Sequence, residues 1–266
     1  MVKALTIAGS DSGGGAGIQA DLKTFTAFGV YGTSAITALT AQNTLGVQGI
    51  YEVSTNFIEE QIKSIMSDIG TDAAKTGMLA NEAIVTTVAQ AIKRYNIKNL
   101  VIDPVMIAKG GDSLLSDTAR HTITNELIPL AKVVTPNRYE AEVMLNMKIN
   151  DIHSMKEAAS KLKEFGPEWV IIKGGHIGEQ SDKAIDVVFD GNEFHLLEST
   201  RFSTNNTHGT GCTFSSAIAA GLAKGYDPLK AIKKAKSFIT RAIQENFSIG
   251  SGHGPTNHFV GTTTEW

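Results

Sequence analysis

The chain has 266 residues, 42% of them hydrophobic and 19% charged, which predicts one globular domain over residues 1–266. A formal net charge of −3 gives no reason to expect a nucleic-acid partner, and a single cysteine excludes a disulfide framework or a multi-thiolate zinc site. No apolar run is long enough to span a bilayer and no signal peptide is recognisable, so we expect no membrane partner and a cytoplasmic location.

Short apolar runs alternate with longer amphipathic segments along the chain. The predicted strands are residues 4–8, 31–40, 73–76, 100–103, 133–135, 170–173, 184–189 and 193–197. A predicted helix opens at glycines 13–17 and runs to residue 28, and others cover residues 56–69, 83–95, 117–128, 154–165, 213–223 and 228–244. This alternation predicts β-α-β units and therefore an α/β fold around a parallel sheet.

Local signals refine three of these boundaries. Asn56 with Glu59, and Ser154 with Glu157, have the spacing of capping boxes at helix starts. The tripeptide 190–192 (Asp-Gly-Asn) predicts a hairpin between the last two strands.

Loops rich in glycine or polar residues follow most of the predicted strands. They are residues 9–17, 42–43, 76–78, 103–105, 135–137 and 173–175. Because ligands bind at the carboxyl ends of the strands in open α/β sheets, these loops predict one site at that edge.

The segment 206–215 holds the only cysteine, where a glycine-bearing loop runs into an alanine-rich helix. Unpaired N–H groups and the helix dipole favour an anion there, and the same field would lower the pKa of a thiol. Gly209, Thr210, Gly211 and Cys212, here called the anion loop, are therefore candidates for holding a phosphate. Cys212 as a buried filler beside a simple turn remains an alternative. His208 could pair with the thiol or only shape the loop.

Two common nucleotide-binding patterns are missing. Glycines 13–17 do not fit the dinucleotide fingerprint, because its last glycine would fall on Ile18. A Walker A motif is excluded because no Gly-Lys dipeptide occurs. Any ATP site must therefore use another architecture.

Three charged residues at strand or helix ends suit phosphate chemistry. Asp103 could hold Mg²⁺ through water or could cap a turn. Glu140 lies early in a helix, where the helix dipole alone would explain an acid. Lys173 ends an apolar strand, and it could pair with a phosphate or extend to solvent.

These motifs, in this order, resemble the ribokinase superfamily over nearly the whole chain, and within it the vitamin-kinase branch that includes hydroxymethylpyrimidine kinases. The segments that carry the resemblance are 8–23, 37–44, 75–79, 103–106, 135–137, 173–176, 206–215 and 254–259. The resemblance implies a ribokinase-like, doubly wound, mainly parallel sheet with helices on both faces, and a homodimer.

The resemblance also implies an activity, the ATP-dependent phosphorylation of 4-amino-5-hydroxymethyl-2-methylpyrimidine and then of its monophosphate. The anion loop would hold the phosphoryl group, with Cys212 where sugar kinases carry a catalytic aspartate. Lys173 and Thr207 would contact ATP, and Asp103 and Glu140 would hold Mg²⁺. The residues implied to line the pyrimidine pocket, beside Cys212, are Gly9, Ala16, Asp21, Gln42, Met78 and Val105.

Two other functions are weighed against this one. A pyridoxal kinase of the same branch is the nearer alternative, and the segment 41–44 favours the pyrimidine. A non-catalytic pyrimidine-binding regulator would not need Asp103, Lys173 and Cys212 together. The chain shows no spare strand near its start for a separate lid, and Gly110 and Gly111 mark a candidate closing loop.

Overall fold

A computed structural model describes residues 1–106, 116–175 and 182–260, so Gly110 and Gly111 lie outside the described residues. Its strands are β1 (Lys3–Asp11), β2 (Tyr31–Asn43), β3 (Gly46–Glu52), β4 (Ala73–Thr76), β5 (Leu100–Ile102), β6 (Val133–Val134), β7 (Trp169–Ile172), β8 (Lys183–Phe189) and β9 (Phe194–Thr200). They form one sheet in the order β3-β2-β1-β4-β5-β6-β7-β8-β9. Strands β2, β1, β4, β5, β6 and β7 are parallel, while β3, β8 and β9 extend the edges in antiparallel fashion. The predicted mainly parallel sheet is confirmed.

The helices are α1 (Gly17–Ala27), α2 (Thr55–Asp68), α3 (Glu82–Arg94), α4 (Asp117–Thr122), α5 (Arg138–Leu145), α6 (Ile152–Lys163), α7 (Thr210–Ala223) and α8 (Pro228–Gln244). One helix over 117–128 was expected, but α4 passes into a π turn (Ile123–Leu127) and a 3-10 turn (Ile128–Leu130). Pro129, which has no N–H, cannot continue regular α-helical hydrogen bonding. No helix in the described ranges is long and apolar enough to cross a membrane.

Helices cover both faces of the sheet because its central strands are apolar on both sides. In β5, Leu100 and Ile102 pack in a core with Ile62 of α2 and residues of α3 and α6, while Val101 faces a second core. That second core contains Ala217 of α7 and residues of α1 and α8. Two successive residues of a strand point to opposite faces, so an unbroken apolar run supplies both cores.

Helix α7 is enclosed by the sheet and by neighbouring helices. Every residue from 213 to 222 is buried. Small side chains permit this close packing, as where Gly221 lies against Ala231 of α8. The start of α7, which carries the anion loop, is therefore held on a rigid element.

The strand order places a ligand crevice beside β1. Strand β1 pairs with β2 on one side and with β4 on the other, so the winding of the sheet reverses there. Such a reversal leaves a crevice at the carboxyl ends of the strands. The loops after β1 and β4 open at this point.

Strand β3 was not expected. It pairs with β2 over residues 38–43, and nearly all of its residues are exposed. An exposed edge strand lacks the apolar alternation by which strands are recognised. The expectation that no spare strand lies near the start of the chain is therefore wrong.

Both predicted capping boxes are misplaced. Helix α2 is capped by Ser54, whose hydroxyl accepts from the N–H of Phe57, and Asn56 lies inside the helix. Helix α6 is capped by Asp151, with Ser154 as its third-position partner. Several polar residues in a row offer more than one possible cap, and the packing of the helix selects among them. The predicted hairpin at 190–192 is confirmed, with Asp190 accepting two N–H groups of its own turn.

Candidate active site

The anion loop forms the first turn of α7. The helix begins at Thr210, three residues earlier than expected, after Gly209 in the left-handed conformation (φ 79°). A side chain at Gly209 would overlap the carbonyl oxygen of Gly15, so only glycine fits this contact. N–H groups in a first helical turn have no partner within the helix. Because the N–H of Thr210 donates to the carbonyl oxygen of Thr207 at 3.3 Å, the amides that the turn offers to an anion are those of Gly211 and Cys212.

One cavity of about 360 Å³ lies between the anion loop and the loop after β1. We call it the acceptor cavity. Its lining includes the whole anion loop and these predicted substrate residues: Gly9, Ala16, Gln42, Met78 and Val105. The structure thus brings together residues from positions 9 to 212 of the chain.

Asp21 is the one predicted substrate residue that does not line this cavity. It is fully buried, and Lys75 donates to both of its carboxylate oxygens at 3.0 Å. Hydroxyls of Thr6 and Ser216 also donate to it at 2.6 Å. Its hydrogen-bonding capacity is taken up below the cavity floor, so the structure makes Asp21 a partner of Lys75. A lysine within the short apolar strand β4 was the signal in the sequence that could have revealed this pair.

A larger cavity of about 940 Å³ lies on the other side of the anion loop. We call it the donor cavity. Its other walls include residues 199–205 and parts of β8 and α8. The residues that it shares with the acceptor cavity are Asn137, Lys173, Thr207, Thr210 and Gly211. The two cavities therefore meet at the amides of the anion loop.

A charged cluster lies beside that junction. The Lys173 ammonium lies 2.9 Å from Asp103 Oδ1, and Thr135 Oγ1 lies 3.3 Å from the same oxygen. Burial lowers the pKa of Lys173, but the negative charges of Asp103 and Glu140 raise it by more than burial lowers it. The pKa of Lys173 therefore lies above its usual value. The lysine is therefore a permanent cation close to Gly211.

Glu140 combines a structural contact with an electrostatic one. Its carboxylate accepts from the N–H of Asn137 at 2.7 Å, which closes the capping box of α5. Burial raises the pKa of Glu140 to about 7, with Asp103 raising it further and Lys173 lowering it. Among the described residues, no group of three or more His, Cys, Asp or Glu could hold a metal ion. Asp103 and Glu140 are two carboxylates, so a metal ion held by them would need further ligands from water or from a bound molecule.

The thiol of Cys212 is not the activated thiol that the helix start suggested. Burial raises its pKa to about 11, and the nearby Lys75 ammonium only partly offsets this. At neutral pH the group is therefore protonated. His208 does not pair with it, since the imidazole Nε2 lies 2.9 Å from Asp11 Oδ2. Asp11 and His208 also line the acceptor cavity, although neither was among the predicted site residues.

Two cavities that meet at a helix-borne anion loop, on a mainly parallel α/β sheet, suit a small-molecule kinase of the ribokinase-like fold. Solved structures share the architecture. The ADP complex of Bacillus subtilis pyridoxal kinase superposes with a TM-score of 0.89 and 44% identity, over 97% of this chain and 98% of that one. Phosphomethylpyrimidine kinase from Clostridium difficile gives a TM-score of 0.81 and 43% identity, over 91% of this chain and 100% of that one.

Sequence comparison defines the family. The phosphomethylpyrimidine kinase family model matches residues 11–257. The hydroxymethylpyrimidine/phosphomethylpyrimidine kinase of Bacillus subtilis is 49% identical over 260 residues, covering 98% of this chain and 96% of that protein. The chain belongs to the phosphomethylpyrimidine kinase family.

Proposed function

We propose that this kinase transfers the γ-phosphoryl group of ATP to the hydroxymethyl oxygen of 4-amino-5-hydroxymethyl-2-methylpyrimidine, and then phosphorylates the monophosphate, in thiamine biosynthesis. One observation carries the proposal. Thr210 and Gly211 of the anion loop line both the acceptor and the donor cavity, in a chain of the phosphomethylpyrimidine kinase family. A hydroxyl in one cavity and a triphosphate in the other would approach in line across these amides.

The residues at the junction supply the electrostatics of phosphoryl transfer. The transition state spreads negative charge over the equatorial oxygens of the transferred group. Amides of the first turn of α7 and the Lys173 ammonium face that charge from fixed positions, so little reorganisation is needed. Thr207 lines the donor cavity beside them and is proposed to contact the nucleotide.

Asp103 and Glu140 fit a role in holding Mg²⁺. This ion usually binds to one or two carboxylates, with water and phosphate oxygens completing its shell, and the site offers such a pair. Burial, and to a smaller extent the Asp103 charge, raises the pKa of Glu140, and a bound cation would stabilise its ionised form. When bound, the ion neutralises charge on the phosphate oxygens.

We propose that Cys212 acts as part of the anion loop more than as a base. Its pKa of about 11 leaves almost no thiolate at neutral pH. A loose transition state forms little bond to the attacking oxygen, so the hydroxyl need not lose its proton early. The thiol then guides that hydroxyl from the cavity wall.

The alternative substrate is pyridoxal, since pyridoxal kinases are among the similar structures. The deciding experiment follows ADP release and product mass with Mg-ATP and either hydroxymethylpyrimidine or pyridoxal. Mono- and diphosphorylated pyrimidine would support the proposal. Preferred turnover of pyridoxal would assign the chain to the vitamin B6 branch, and no turnover of either would revive the non-catalytic binder.

We further propose one kinase domain over residues 1–266, acting as a cytoplasmic homodimer on a small molecule. The continuous sheet supports a single domain, and use of ATP supports the location. The edge strand β3 exposes Val47, Ile50 and Tyr51, which supports pairing with a second copy. Analytical ultracentrifugation of the wild type and of Tyr51→Glu tests the dimer, and a monomer for both would contradict it.

A further inference from the structure

The Asp11 carboxylate organises the loop after β1. It is almost fully buried, and it accepts from the N–H groups of Gly13 at 2.8 Å, Gly15 at 3.1 Å and Ala16 at 2.8 Å. Burial raises the pKa of Asp11, but the hydrogen bond and charge of His208, together with the backbone N–H groups, lower it by more than burial raises it. The pKa of Asp11 therefore lies below its usual value. Asp11 is therefore ionised at neutral pH and can only accept hydrogen bonds.

This charge decides where the proton of His208 lies. Nε2 of the imidazole is 2.9 Å from Asp11 Oδ2. A carboxylate has no proton to give, so Nε2 must carry the proton and donate it. An Nε2 that donates cannot also accept from a second donor.

The same nitrogen faces the side-chain amide of Gln42. With the amide nitrogen of Gln42 as the nearest atom, at 3.2 Å, two donors would face each other. The two ends of an amide have the same shape, so hydrogen bonding decides their assignment. Turning the amide by 180° places its oxygen 3.2 Å from His208 Nε2, where it shares the single Nε2–H with Asp11 as the more distant acceptor of a three-centre hydrogen bond. The amide nitrogen then lies 3.2 Å from the Thr40 hydroxyl. The Thr40 proton then goes to the carbonyl oxygen of Ser10 at 2.9 Å, and every donor has an acceptor.

We propose that His208, held by Asp11, fixes the Gln42 amide in this one orientation and so selects which ring edge the acceptor cavity binds. His208 and Asp11 are positioning residues, since they act through Gln42. The inference rests on the proposed function, in which the pyrimidine occupies this cavity.

The fixed amide offers a defined pattern to the ring. After bonding to His208 and Thr40, it keeps one N–H and one oxygen lone pair free. A 4-aminopyrimidine edge carries a ring nitrogen that accepts a hydrogen bond beside an amine that donates one. It fits the amide in one orientation only, with the amide N–H on the ring nitrogen and the amide oxygen on the amine. The 4-oxo analogue carries N–H and C=O in the reversed order. A site built for one pattern rejects the other because polar groups would be left unpaired.

The imidazole can be altered without releasing the anion loop. The backbone of His208 is anchored separately, with its N–H donating to Gly254 at 3.0 Å and its carbonyl accepting from Thr256 at 3.2 Å. Loss of the side chain therefore removes the donor to Gln42 while these backbone bonds keep the loop in place.

The test compares kcat/KM for 4-amino-5-hydroxymethyl-2-methylpyrimidine and its 4-oxo analogue. We expect the wild type to prefer the amino compound by roughly 100-fold or more. His208→Leu should reduce that preference to about tenfold or less, because the freed amide can rotate to suit either ring. His208→Gln, which keeps an N–H donor, should retain most of the preference. The KM for ATP should stay within about threefold in both variants.

A double-mutant cycle with Gln42→Ala separates positioning from general damage. If His208 acts through Gln42, adding His208→Leu to Gln42→Ala should change the preference by less than about twofold. Equal loss of activity on both compounds in His208→Leu, with the preference intact, would overturn the inference and leave the proposed function standing. Failure of the wild type to phosphorylate the amino compound would overturn both. Should His208→Leu not fold, Asp11→Asn serves instead, since it removes the charge that keeps the proton on Nε2 and should also relax the preference.

Discussion

Lys75 donates to both carboxylate oxygens of Asp21, at 3.0 Å each, and neither side chain is exposed to solvent. Asp21 also accepts from Ser216, which lies one helical turn beyond Cys212. The pair therefore ties the start of α7 to strand β4 and helix α1. Since burial of two charges costs desolvation energy, the pair holds position more than it adds net stability.

Removal of one partner of this pair should be costly. Lys75→Met leaves the Asp21 carboxylate buried and unpaired, and we expect the free energy of unfolding to fall by about 3–5 kcal/mol. Lys75→Met combined with Asp21→Asn should recover much of that loss, because no charge remains and the amide keeps an acceptor for Ser216. Urea unfolding of the wild type and the two variants measures this, and a loss below about 1 kcal/mol for the single variant would contradict it.

The Cys212 thiol should affect turnover more than binding. We expect Cys212→Ala to lower kcat by about 100-fold, with a smaller effect on KM, because the thiol is proposed to guide the attacking hydroxyl. Because burial raises the pKa of the thiol to about 11, the wild-type pH profile between 7 and 9 should show no inflection from this group. Steady-state kinetics across this range provide the check. An inflection near pH 8.5 that the variant lacks would instead identify a thiolate base.

Glu140 should produce an acidic limb in the pH profile. Its pKa in the free enzyme is about 7, so the carboxyl loses its charge as the pH falls through 7. We expect kcat/KM to fall in the same range, because the protonated form would no longer complement Lys173 or the Mg²⁺ that we propose Glu140 helps to hold. Glu140→Gln should have low kcat/KM and no such limb. Glu157→Gln, on the exposed face of α6, is the control and should keep the acidic limb. A wild-type profile that is flat from pH 6 to 8 would disprove the assignment to Glu140.

His258 should make the folded state less stable as the pH falls. Its Nε2 lies 2.8 Å from Thr213 Oγ1, and burial, with a contribution from Lys23, lowers its pKa to about 4. Between pH 6.5 and 4 the unfolded chain binds a proton that the folded chain excludes, so stability is lost as the pH falls. The loss is about 3 kcal/mol across this range. Urea unfolding at pH 6.5 and pH 4 should show that difference between wild type and His258→Gln, and parallel changes in the two proteins would rule it out.

Gly209 can be tested against a glycine of matched conformation. Gly209 (φ 79°) touches the backbone of Gly15, whereas Gly225 (φ 76°) has open space where a side chain would go. Gly225→Ala should cost about 1 kcal/mol for the left-handed conformation alone, with activity unchanged. Gly209→Ala should cost more and should lower kcat by at least about 100-fold, because the loop must move away from the acceptor cavity. Thermal unfolding and kinetics of both variants decide this, and equal effects would refute the close-contact argument.

Local pattern was enough for the central strands and most helices. Strand β4 and helix α8 have the predicted bounds, because an apolar run between turns and an amphipathic repeat are properties of neighbouring residues. Strand β3 was missed because its exposed residues carry no such pattern. The caps of α2 and α6 were misplaced for a similar reason, since several polar residues there compete for one position.

The sequence by itself determined the parallel sheet, the loops at its carboxyl edge and the anion loop, because each depends on residues close together in the chain. Only the tertiary structure decided what the long-range partners do. Asp21 faces Lys75, 54 residues away, and His208 faces Asp11, 197 residues away. Burial, which no local pattern measures, kept the Cys212 thiol protonated despite its place at a helix start. The charge state of a group depends on everything packed around it, and that environment exists only once the chain has folded.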